Sequence, residues 1–302
     1  MSISNSYPTK LTFSPGFFNL EEYIFQFDNE RVIFEMRAKS SCKGFLVLFI
    51  KDENALSPFR APYGGFELDA DTNESELNVL VEEILAFCKS KDLKKITIVS
   101  HPDCYDPEKS IIIKNVLLKN DFLISTTELN YHLIVDNTGF ESKIHSSEKR
   151  KLKKCRDMNF SFSSSGNDYH EMYQLIVACR KRKGFPISMN KEEFSKMFES
   201  FPDRYIPFTL RDGDKLIATA IGVKVNDHIL YNFLPADYEQ YLSYSPMVLL
   251  KAEMYRYCQD HQITMLDYGI GTAAGIKNEG LIRFKENMGG LMSHKNTYEI
   301  ML

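Results

Sequence analysis

The sequence lacks several features that would each have indicated a class of protein. No stretch reaches the roughly 18 uncharged apolar residues that a membrane-spanning helix needs. The six cysteines show no C-x-x-C spacing and the seven histidines no H-E-x-x-H spacing, so we expect reduced thiols and no metal site. The first residues, MSISNSYPTKLTFSPG, hold no basic segment followed by an apolar run. We therefore expect a cytoplasmic protein without a membrane span.

The chain is long enough for two domains, and its charge is divided between two halves. Of the 302 residues, 43% are hydrophobic and 26% are charged, which suits ordinary globular cores. Residues 1–142 carry 14 basic and 22 acidic side chains, whereas residues 143–302 carry 23 basic and 19 acidic ones. This division favours an anionic ligand in the second half, although solvated surface charge gives the same pattern.

The two halves repeat one order of strand-like segments. The repeated segments begin at Ala61 and Leu230, at Lys94 and Ile263, and at Phe122 and Leu291. Each pair is 169 positions apart, which indicates a tandem of two similar units. Further strands precede these segments, joined in the second half by turns at residues 212–214 and 226–227. Antiparallel strands followed by helix, strand, helix and strand predict a mixed sheet with helices packed on it.

Helix starts lie at matching places between the strands. Asn73 and Glu76 predict a capping box, and Pro107 predicts the start of a second helix. In the second half, Ser245-Pro246 predicts an N-cap followed by a first-turn proline, and Asn278 predicts the start of the last helix. Each half is therefore expected to carry two helices at corresponding positions.

The most informative segment is LDYGIGTAAGIKNEGLIRFKENMGG, at residues 266–290. A short apolar strand gives way to glycines and then to a helix that carries Arg283 and Lys285. Backbone amides and a helix start at such a turn commonly hold an anion or a polarised carbonyl. A functional role for the cation requires that it face a cleft, since a cation facing water is only a surface charge.

Two basic segments precede this region. Six cations occur between residues 149 and 156, and residues 180–183 read Arg-Lys-Arg-Lys. Phosphate groups are held by such clusters without any reading of sequence. A solvated helix face is an equally good explanation, and RNA binding by residues 149–156 alone is a weaker one.

This order of elements resembles the acyl-CoA N-acyltransferase (GNAT) fold, and its doubling resembles the FemAB branch of bacterial aminoacyltransferases. The resemblance is strongest from Ser146 to Gly290, which includes the SPMVLLKAEMYRYCQDHQ helix and the closing F-K-x-x-x-G helix. In the first half, SPFRAPYGGFE is the most family-like phrase. The resemblance implies an α/β (α+β) protein of two GNAT-like domains, residues 1–142 and 143–302. Each domain would be a mixed, mostly antiparallel sheet flanked by helices, with the active site in the second.

The resemblance implies an N-acyltransferase that moves an acyl or aminoacyl group from a CoA-type or tRNA carrier to an amine. The acceptor would be a small molecule or a cell-envelope precursor that enters between the halves. Loop 235–245 has no glycine and includes Asp237 and Glu239, which argues against ordinary acyl-CoA binding. The two long inserted helices of FemAB proteins are not evident between Arg156 and Tyr205, which argues against aminoacyl-tRNA. The carboxylates of ELDADTN argue against a carrier in the first half, and a non-catalytic tandem binding protein is the alternative.

The site is expected where the strand LYNFLPAD diverges from TMLDYG, beside the helix that Ser245-Pro246 begins. The resemblance implies that Lys285 hydrogen-bonds the acyl carbonyl or a substrate phosphate. Structural alternatives are a surface ion pair for Lys285 and a turn cap for Asp267. The catalytic candidates are Lys285, Asp267 and Tyr231. The candidates for substrate or carrier binding are Arg283, Asn278, Ser245, Tyr268, Lys183, Arg60 and Tyr63.

Overall fold

The computed structural model describes residues 2–302 as strands and helices in two compact units. The strands are β1 Ser2–Ser4, β2 Arg31–Ala38, β3 Ser41–Lys51, β4 Asn54–Ser57, β5 Glu67–Leu68, β6 Lys95–Val99, β7 Leu123–Ile134, β8 Ser161–Ser163, β9 Tyr205–Asp212, β10 Lys215–Lys224, β11 Ile229–Asp237, β12 Met265–Ile270, β13 Thr272–Ala273, β14 Ile276–Lys277 and β15 Leu291–Met301. The helices are α1 Glu21–Ile24, α2 Glu74–Ser90, α3 Pro107–Lys119, α4 Phe140–Lys143, α5 Ser146–Arg156, α6 Tyr169–Arg182, α7 Lys191–Ser200, α8 Pro246–Asp260 and α9 Glu279–Asn287. Short 3-10 turns occupy Phe17–Asn19, Asp103–Tyr105 and Glu239–Tyr244.

The two units are not continuous along the chain. Unit 1 consists of the chain up to Asn130 together with Thr272–Ile276 and Ser293–Leu302, and unit 2 consists of Tyr131–Gly271 and Lys277–Met292. They differ from the expected segments 1–142 and 143–302 because β15 pairs with β6 in unit 1. That a carrier binds in the second domain alone stays a prediction.

Unit 1 is a sheet with helices packed on it. Its strand order is β1-β2-β3-β4-β6-β15-β7, with β5 beside β3, and β4 runs parallel to β6. Helix α2 buries Leu77, Leu80, Val81, Ile84 and Cys88, which recur at helical spacing and so form one apolar face. The capping box at the start of α2 is confirmed in both of its hydrogen bonds, as the sequence predicted.

The prediction of a strand that begins at Ala61 is wrong, because only Glu67–Leu68 of that segment is a strand. The preceding glycines make a close approach to another part of unit 1. Gly65, with φ of +86°, donates its N–H to Ser57 Oγ at 2.9 Å. A Cβ atom on Gly64 would lie 2.8 Å from the same oxygen. Residues with side chains would therefore not fit, and the segment is not extended.

Unit 2 is built around the strands β12-β11-β10-β9-β8, which are neighbours in that order, with the last residues of β7 beside β12. Strands β9, β10 and β11 form the predicted antiparallel meander, and β11 and β12 are parallel. Helix α8 packs on this sheet, with the ring of Tyr257 5.0 Å from that of Phe208. The helices between Arg156 and Tyr205 are α6 and α7, of 14 and 10 residues, so the described chain has no long helical arm there.

The predicted fold class is confirmed, since each unit is a mixed, mostly antiparallel sheet flanked by helices. Across residues 2–302, no helix combines the length and apolar character needed to cross a membrane. Within the same residues, no cluster of three or more His, Cys, Asp or Glu side chains could hold a metal ion.

Candidate active site

Two parallel strands separate in the middle of unit 2. Strand β11 pairs with β12 from Ile229, opposite Met265, to Tyr231, opposite Asp267. Strand β11 then continues beside β10 as far as Asp237, so its other edge leaves β12 after Tyr231. The backbone groups of such an edge can bind a ligand in place of a strand. The divergence lies where the sequence predicted it.

Strand β11 carries a bulge just beyond the divergence. Thr219 pairs with Ala236 and Ile221 with Phe233, so that two residues of β11, Leu234 and Pro235, lie opposite one residue of β10. Leu234 has a left-handed backbone, with φ of +47°. Bulges re-aim the backbone of a strand and are frequent beside active sites. This bulge turns the edge of β11 at the point where it is no longer paired with β12.

Lys285 is buried and holds the end of β12. Only 6% of the residue is exposed, and its Nζ donates to the carbonyl oxygens of Tyr268, Gly269 and Ile270 at 2.8, 2.8 and 2.7 Å. Three consecutive carbonyls converge on one cation because Gly269 has φ of +76°. Burial lowers the pKa of Lys285 to about 7, and the carboxylate of Asp267 opposes this shift. The three acceptors match the three N–H donors of an ammonium group.

Asp267 and Tyr231 flank the same turn. Asp267 is 1% exposed, and its Oδ1 accepts the N–H of Gly269 at 2.7 Å, which is the turn-capping role weighed from the sequence. Burial raises the pKa of the Tyr231 hydroxyl, and the carboxylate of Asp267 raises it further. The ring of Tyr231 covers Gly269 so closely that a Cβ there would lie 3.2 Å from Cε2. The three residues thus form one packed group.

A second buried lysine, Lys251 of α8, lies against the same strand. It is 4% exposed, and its Nζ lies 5.3 Å from the centre of the Tyr268 ring. No other group among residues 2–302 lies within hydrogen-bonding distance of this nitrogen. Burial and the charge of Lys285 lower the pKa of Lys251 well below its ordinary value, while Asp267 and Cys258 act in the opposite direction.

Helix α8 begins shortly after the end of β11, following the 3-10 turn Glu239–Tyr244. Ser245, which precedes Pro246, has a left-handed backbone with φ of +57° and makes no side-chain capping hydrogen bond. It therefore takes a conformation that glycine would adopt easily, in a loop without glycine. The first N–H groups of α8 lack a side-chain cap from Ser245, and a helix start of this kind attracts anions.

Part of the acidic charge expected in loop 235–245 is neutralised. Asp237 Oδ1 accepts from Arg182 Nη2 at 2.8 Å, and Lys183 Nζ lies 4.0 Å from the same oxygen. The argument against a phosphate-bearing carrier is weaker as a result. Lys183 is one of the predicted contacts, and the structure places it at the end of β11.

The basic helix α5 divides into paired and outward-facing cations. Lys151 pairs with Glu148 at 2.8 Å, and Arg156 pairs with Glu141. Lys154 donates to the carbonyl of Ser243 at 3.0 Å and lies over the ring of Tyr244, in the turn that leads into α8. The outward-facing cations are Lys149, Arg150 and Lys153. One face of α5 therefore contacts the turn before α8 through Lys154, and another carries exposed positive charge.

The remaining predicted residues are not all brought together. Tyr268 is buried beside Lys251, and its hydroxyl donates to the Met288 carbonyl at 3.1 Å. Asn278 caps α9 by accepting the N–H of Leu281 at 3.0 Å, and Arg283 is exposed on the same helix. Arg60 and Tyr63 belong to unit 1, where Tyr63 packs edge-on against Phe18. Their roles stay predictions.

Sequence reasoning missed Lys251, Asn232 and the bulge. Lys251 had a usable signal, since it falls on the buried stripe of α8 with Val248, Ala252 and Tyr255, where an apolar residue is expected. Pro235 within a strand was a signal for the bulge, because proline cannot donate to a ladder. Nothing in the sequence indicated the third feature, the buried Asn232 Oδ1, which has no hydrogen-bond partner among residues 2–302.

Comparison with known proteins agrees with this geometry. Residues 142–285 match the family model of the acetyltransferase (GNAT) domain. The match covers 144 of the 302 residues, just under half of the chain. The resemblance predicted from the sequence is thereby confirmed, and acyl transfer is the class of activity that the match supports.

Solved structures extend the likeness to nearly the whole chain. FemX is 13% identical with a TM-score of 0.72, over 95% of this chain and 93% of FemX. The structure of L-PGS from Bacillus licheniformis is 11% identical with a TM-score of 0.56, covering 89% and 83% of the two chains. A tandem GNAT protein from the clavulanic acid biosynthesis pathway is 10% identical with a TM-score of 0.53, covering 90% and 83%. At these identities the likeness is one of fold. No curated protein matches the sequence.

Proposed function

We propose that this protein is an N-acyltransferase that moves an acyl or aminoacyl group from a phosphate-bearing carrier to an amine acceptor. The observation that carries the proposal is the divergence of β11 from β12 after Tyr231 and Asp267, beside the start of α8. The gap offers unpaired backbone to the acyl group, and the helix start offers its N–H groups to the carrier's phosphates. The GNAT domain match supports the reaction class.

In this proposal the amine attacks the carbonyl carbon of a thioester or ester lying between the two strands. Negative charge then develops on the carbonyl oxygen, and a backbone N–H of β11 beyond its last pair with β12 would donate to it. A single donor of this type contributes roughly 10²–10³-fold to kcat. Lys285 and Asp267 would hold the turn after β12 in shape, and Tyr231 would close one wall of the acyl site.

For the donor we propose acyl-CoA first and aminoacyl-tRNA second. The start of α8, Ser245 and the cations Lys154 and Lys183 would lie along the carrier's phosphates. The short helices α6 and α7 support the smaller carrier. The outward-facing cations of α5 would bind the phosphates of aminoacyl-tRNA, the larger carrier.

For the acceptor we propose an amine on a small molecule or a cell-envelope precursor. The fold likeness to L-PGS, and to a structure described as part of a putative lysylphosphatidylglycerol synthetase from Agrobacterium fabrum, supports testing aminoacyl and lipid-linked substrates. Arg60 and Tyr63 of unit 1 and Arg283 and Asn278 of unit 2 stay candidates for acceptor contact. Amines should therefore be screened in both classes.

A charge-only substitution at the helix start tests the carrier site. Asn and Asp both tolerate a left-handed backbone, so Ser245→Asn and Ser245→Asp differ mainly in charge. We expect acetyl-CoA to raise the melting temperature of the wild type and of Ser245→Asn, and much less that of Ser245→Asp. A carrier at 100 times its Kd stabilises the folded state by roughly 2.7 kcal/mol. Equal shifts in the two variants would refute this carrier site.

Turnover separates the enzyme from a binding protein that has lost the chemistry. The alternative is favoured by one observation, namely that all three donors of Lys285 already serve backbone carbonyls. The assay is mass spectrometry of amines incubated with acyl-CoAs or aminoacyl-tRNA, because Cys104 is only partly buried and would react in a thiol-release assay. Saturable carrier binding with no acylated product from any amine would favour the non-catalytic alternative.

A further inference from the structure

Lys251 is the one buried amine near the strand divergence whose nitrogen is not used by the fold, as far as residues 2–302 show. An unsatisfied polar group in a protein interior is destabilising, and a methionine of similar length would fill the same space without that cost. The retention of lysine here therefore calls for a ligand that meets the amine. The structure points to one, because the amine lies beside the proposed acyl site.

The position of Lys251 relative to the divergence follows from strand register. Leu230 and Leu266 are paired, so the residues two further along, Asn232 and Tyr268, lie on the same face of the sheet. Tyr268 faces α8, since Lys251 Nζ lies over its ring. Asn232 and Tyr268 are also the first residues beyond the last pair of β11 and β12. The Lys251 amine and the Asn232 carbonyl, both buried without partners in the described chain, thus share the face on which the strands open.

Four of the other polar groups nearby are poorly suited to take up a proton, and His132, whose buried Nδ1 lacks a partner among residues 2–302, is the competing candidate. Lys285 Nζ already contacts three backbone carbonyls, to which its ammonium form donates. The hydroxyls of Tyr231 and Tyr268 have raised pKa values and stay protonated. Asp267 already accepts the Gly269 N–H.

Resting on the proposed function, we propose that Lys251 is the base that removes a proton from the acceptor's ammonium group. In the same arrangement, Asn232 Oδ1 accepts a hydrogen bond from the acceptor's nitrogen. Burial, and then the charge of Lys285, disfavour a proton on Lys251, whereas Asp267 and Cys258 favour one. The neutral amine, whose lone pair a base requires, is favoured as a result. Lys285 acts as a positioning residue.

The acceptor nitrogen loses two protons in this step. The acceptor R–NH3⁺ gives one proton to the Lys251 amine and becomes R–NH2. Its lone pair forms the new C–N bond, and the C–S or C–O bond to the carrier breaks with its electron pair. The departing sulfur or oxygen takes the second proton from the nitrogen, and Lys251 releases the first to solvent. The net products are the amide, the protonated carrier and one proton.

The test uses the full chain with the donor and amine that give most product in the turnover screen. For Lys251→Met we expect kcat to fall by roughly 10²–10⁴-fold with little change in the donor's Kd, and the rise of kcat with pH to disappear. Lys251→Arg, which keeps the charge but cannot act as a base, should be equally inactive. Lys109→Met is the matched control, because Lys109 is a buried lysine of unit 1 that donates to the carbonyl of Thr72 at 3.0 Å. It should keep kcat within about threefold.

Several results would overturn the proposal. Activity within about threefold of wild type in Lys251→Met would do so, and activity in Lys251→Arg would show that Lys251 acts as a cation. Loss of the same pH limb in His132→Gln alone would make His132 the base, since its buried Nδ1 also lacks a partner among residues 2–302. If the wild type binds carrier but acylates no amine, the proposed function fails and the proposal for Lys251 fails with it. If the wild type is active and Lys251→Met is too, only the Lys251 assignment fails.

Discussion

Replacing Lys251 with methionine should make the protein more stable. The amine is buried without a partner among residues 2–302, and methionine has a similar length with no polar hydrogen to satisfy. Removing the unsatisfied group should raise the free energy of unfolding by roughly 1–3 kcal/mol at neutral pH. For a unit of this size, each kcal/mol corresponds to a rise in melting temperature of about 2–4 °C.

The extra stability of Lys251→Met over the wild type should decrease as the pH rises. The pKa of Lys251 is lowered in the folded protein, whereas the unfolded chain has the ordinary value of 10.5. Between these two values the unfolded state binds the proton and the folded state does not, so wild-type stability rises with pH. Lys251→Met lacks this dependence. Its advantage should therefore be largest at low pH and shrink as the pH approaches 10.5.

Urea denaturation of both proteins across this pH range measures the difference. Lys285→Met serves as a contrast, because it removes a lysine whose nitrogen is fully used. The reasoning is refuted if Lys251→Met unfolds at a lower urea concentration than wild type at neutral pH, or if its advantage grows with pH. A variant that is more stable but inactive would indicate a residue kept for function.

Three further tests address other parts of the protein. Lys285→Met should lower the free energy of unfolding by about 3 kcal/mol, about 1 for each hydrogen bond lost, and an unchanged urea midpoint would contradict its role in holding β12. Gly269→Ala should cost roughly 1–2 kcal/mol in backbone strain plus the clash with Tyr231, and should reduce acyl transfer. Gly213→Ala, in a turn with φ of +56° and open space around it, should show the strain alone, and equal losses of activity in the two would argue against a special turn. Changing Lys149, Arg150 and Lys153 to Glu should abolish the salt dependence of any aminoacyl-tRNA binding by filter assay and leave acetyl-CoA binding unchanged, whereas an unchanged salt slope would exclude α5 as a tRNA contact.

Local patterns in the sequence predicted local structure well. The Asn73–Glu76 capping box, the first-turn proline at 246 and the Asn278 cap are all present, because each depends on a few neighbouring residues. The divergence of β11 from β12 was also anticipated, through the family resemblance. A functional role for Lys285 required that it face a cleft; the structure buries it with its three donors on backbone carbonyls, and its role stays a prediction.

Features that depend on distant parts of the chain were not predictable. The segment from Ala61 reads as a strand, yet Gly65 takes a left-handed backbone with φ of +86° and only Glu67–Leu68 forms a strand. Whether the Lys251 nitrogen has a hydrogen-bond partner depends on the groups that surround it in the fold. Helix periodicity predicts only that the position is buried. Ser245 takes a left-handed backbone where the sequence suggested an ordinary cap, because the preceding 3-10 turn ends there.

The pairing of β15 with β6 has a consequence for how the protein is made. Ser293–Leu302, which unit 1 needs between β6 and β7, is synthesised after every residue of unit 2. The edges of β6 and β7 that β15 will cover therefore stay unpaired throughout the synthesis of unit 2. Such edges invite pairing with other chains, so chaperone contact during translation should concentrate on the N-terminal unit.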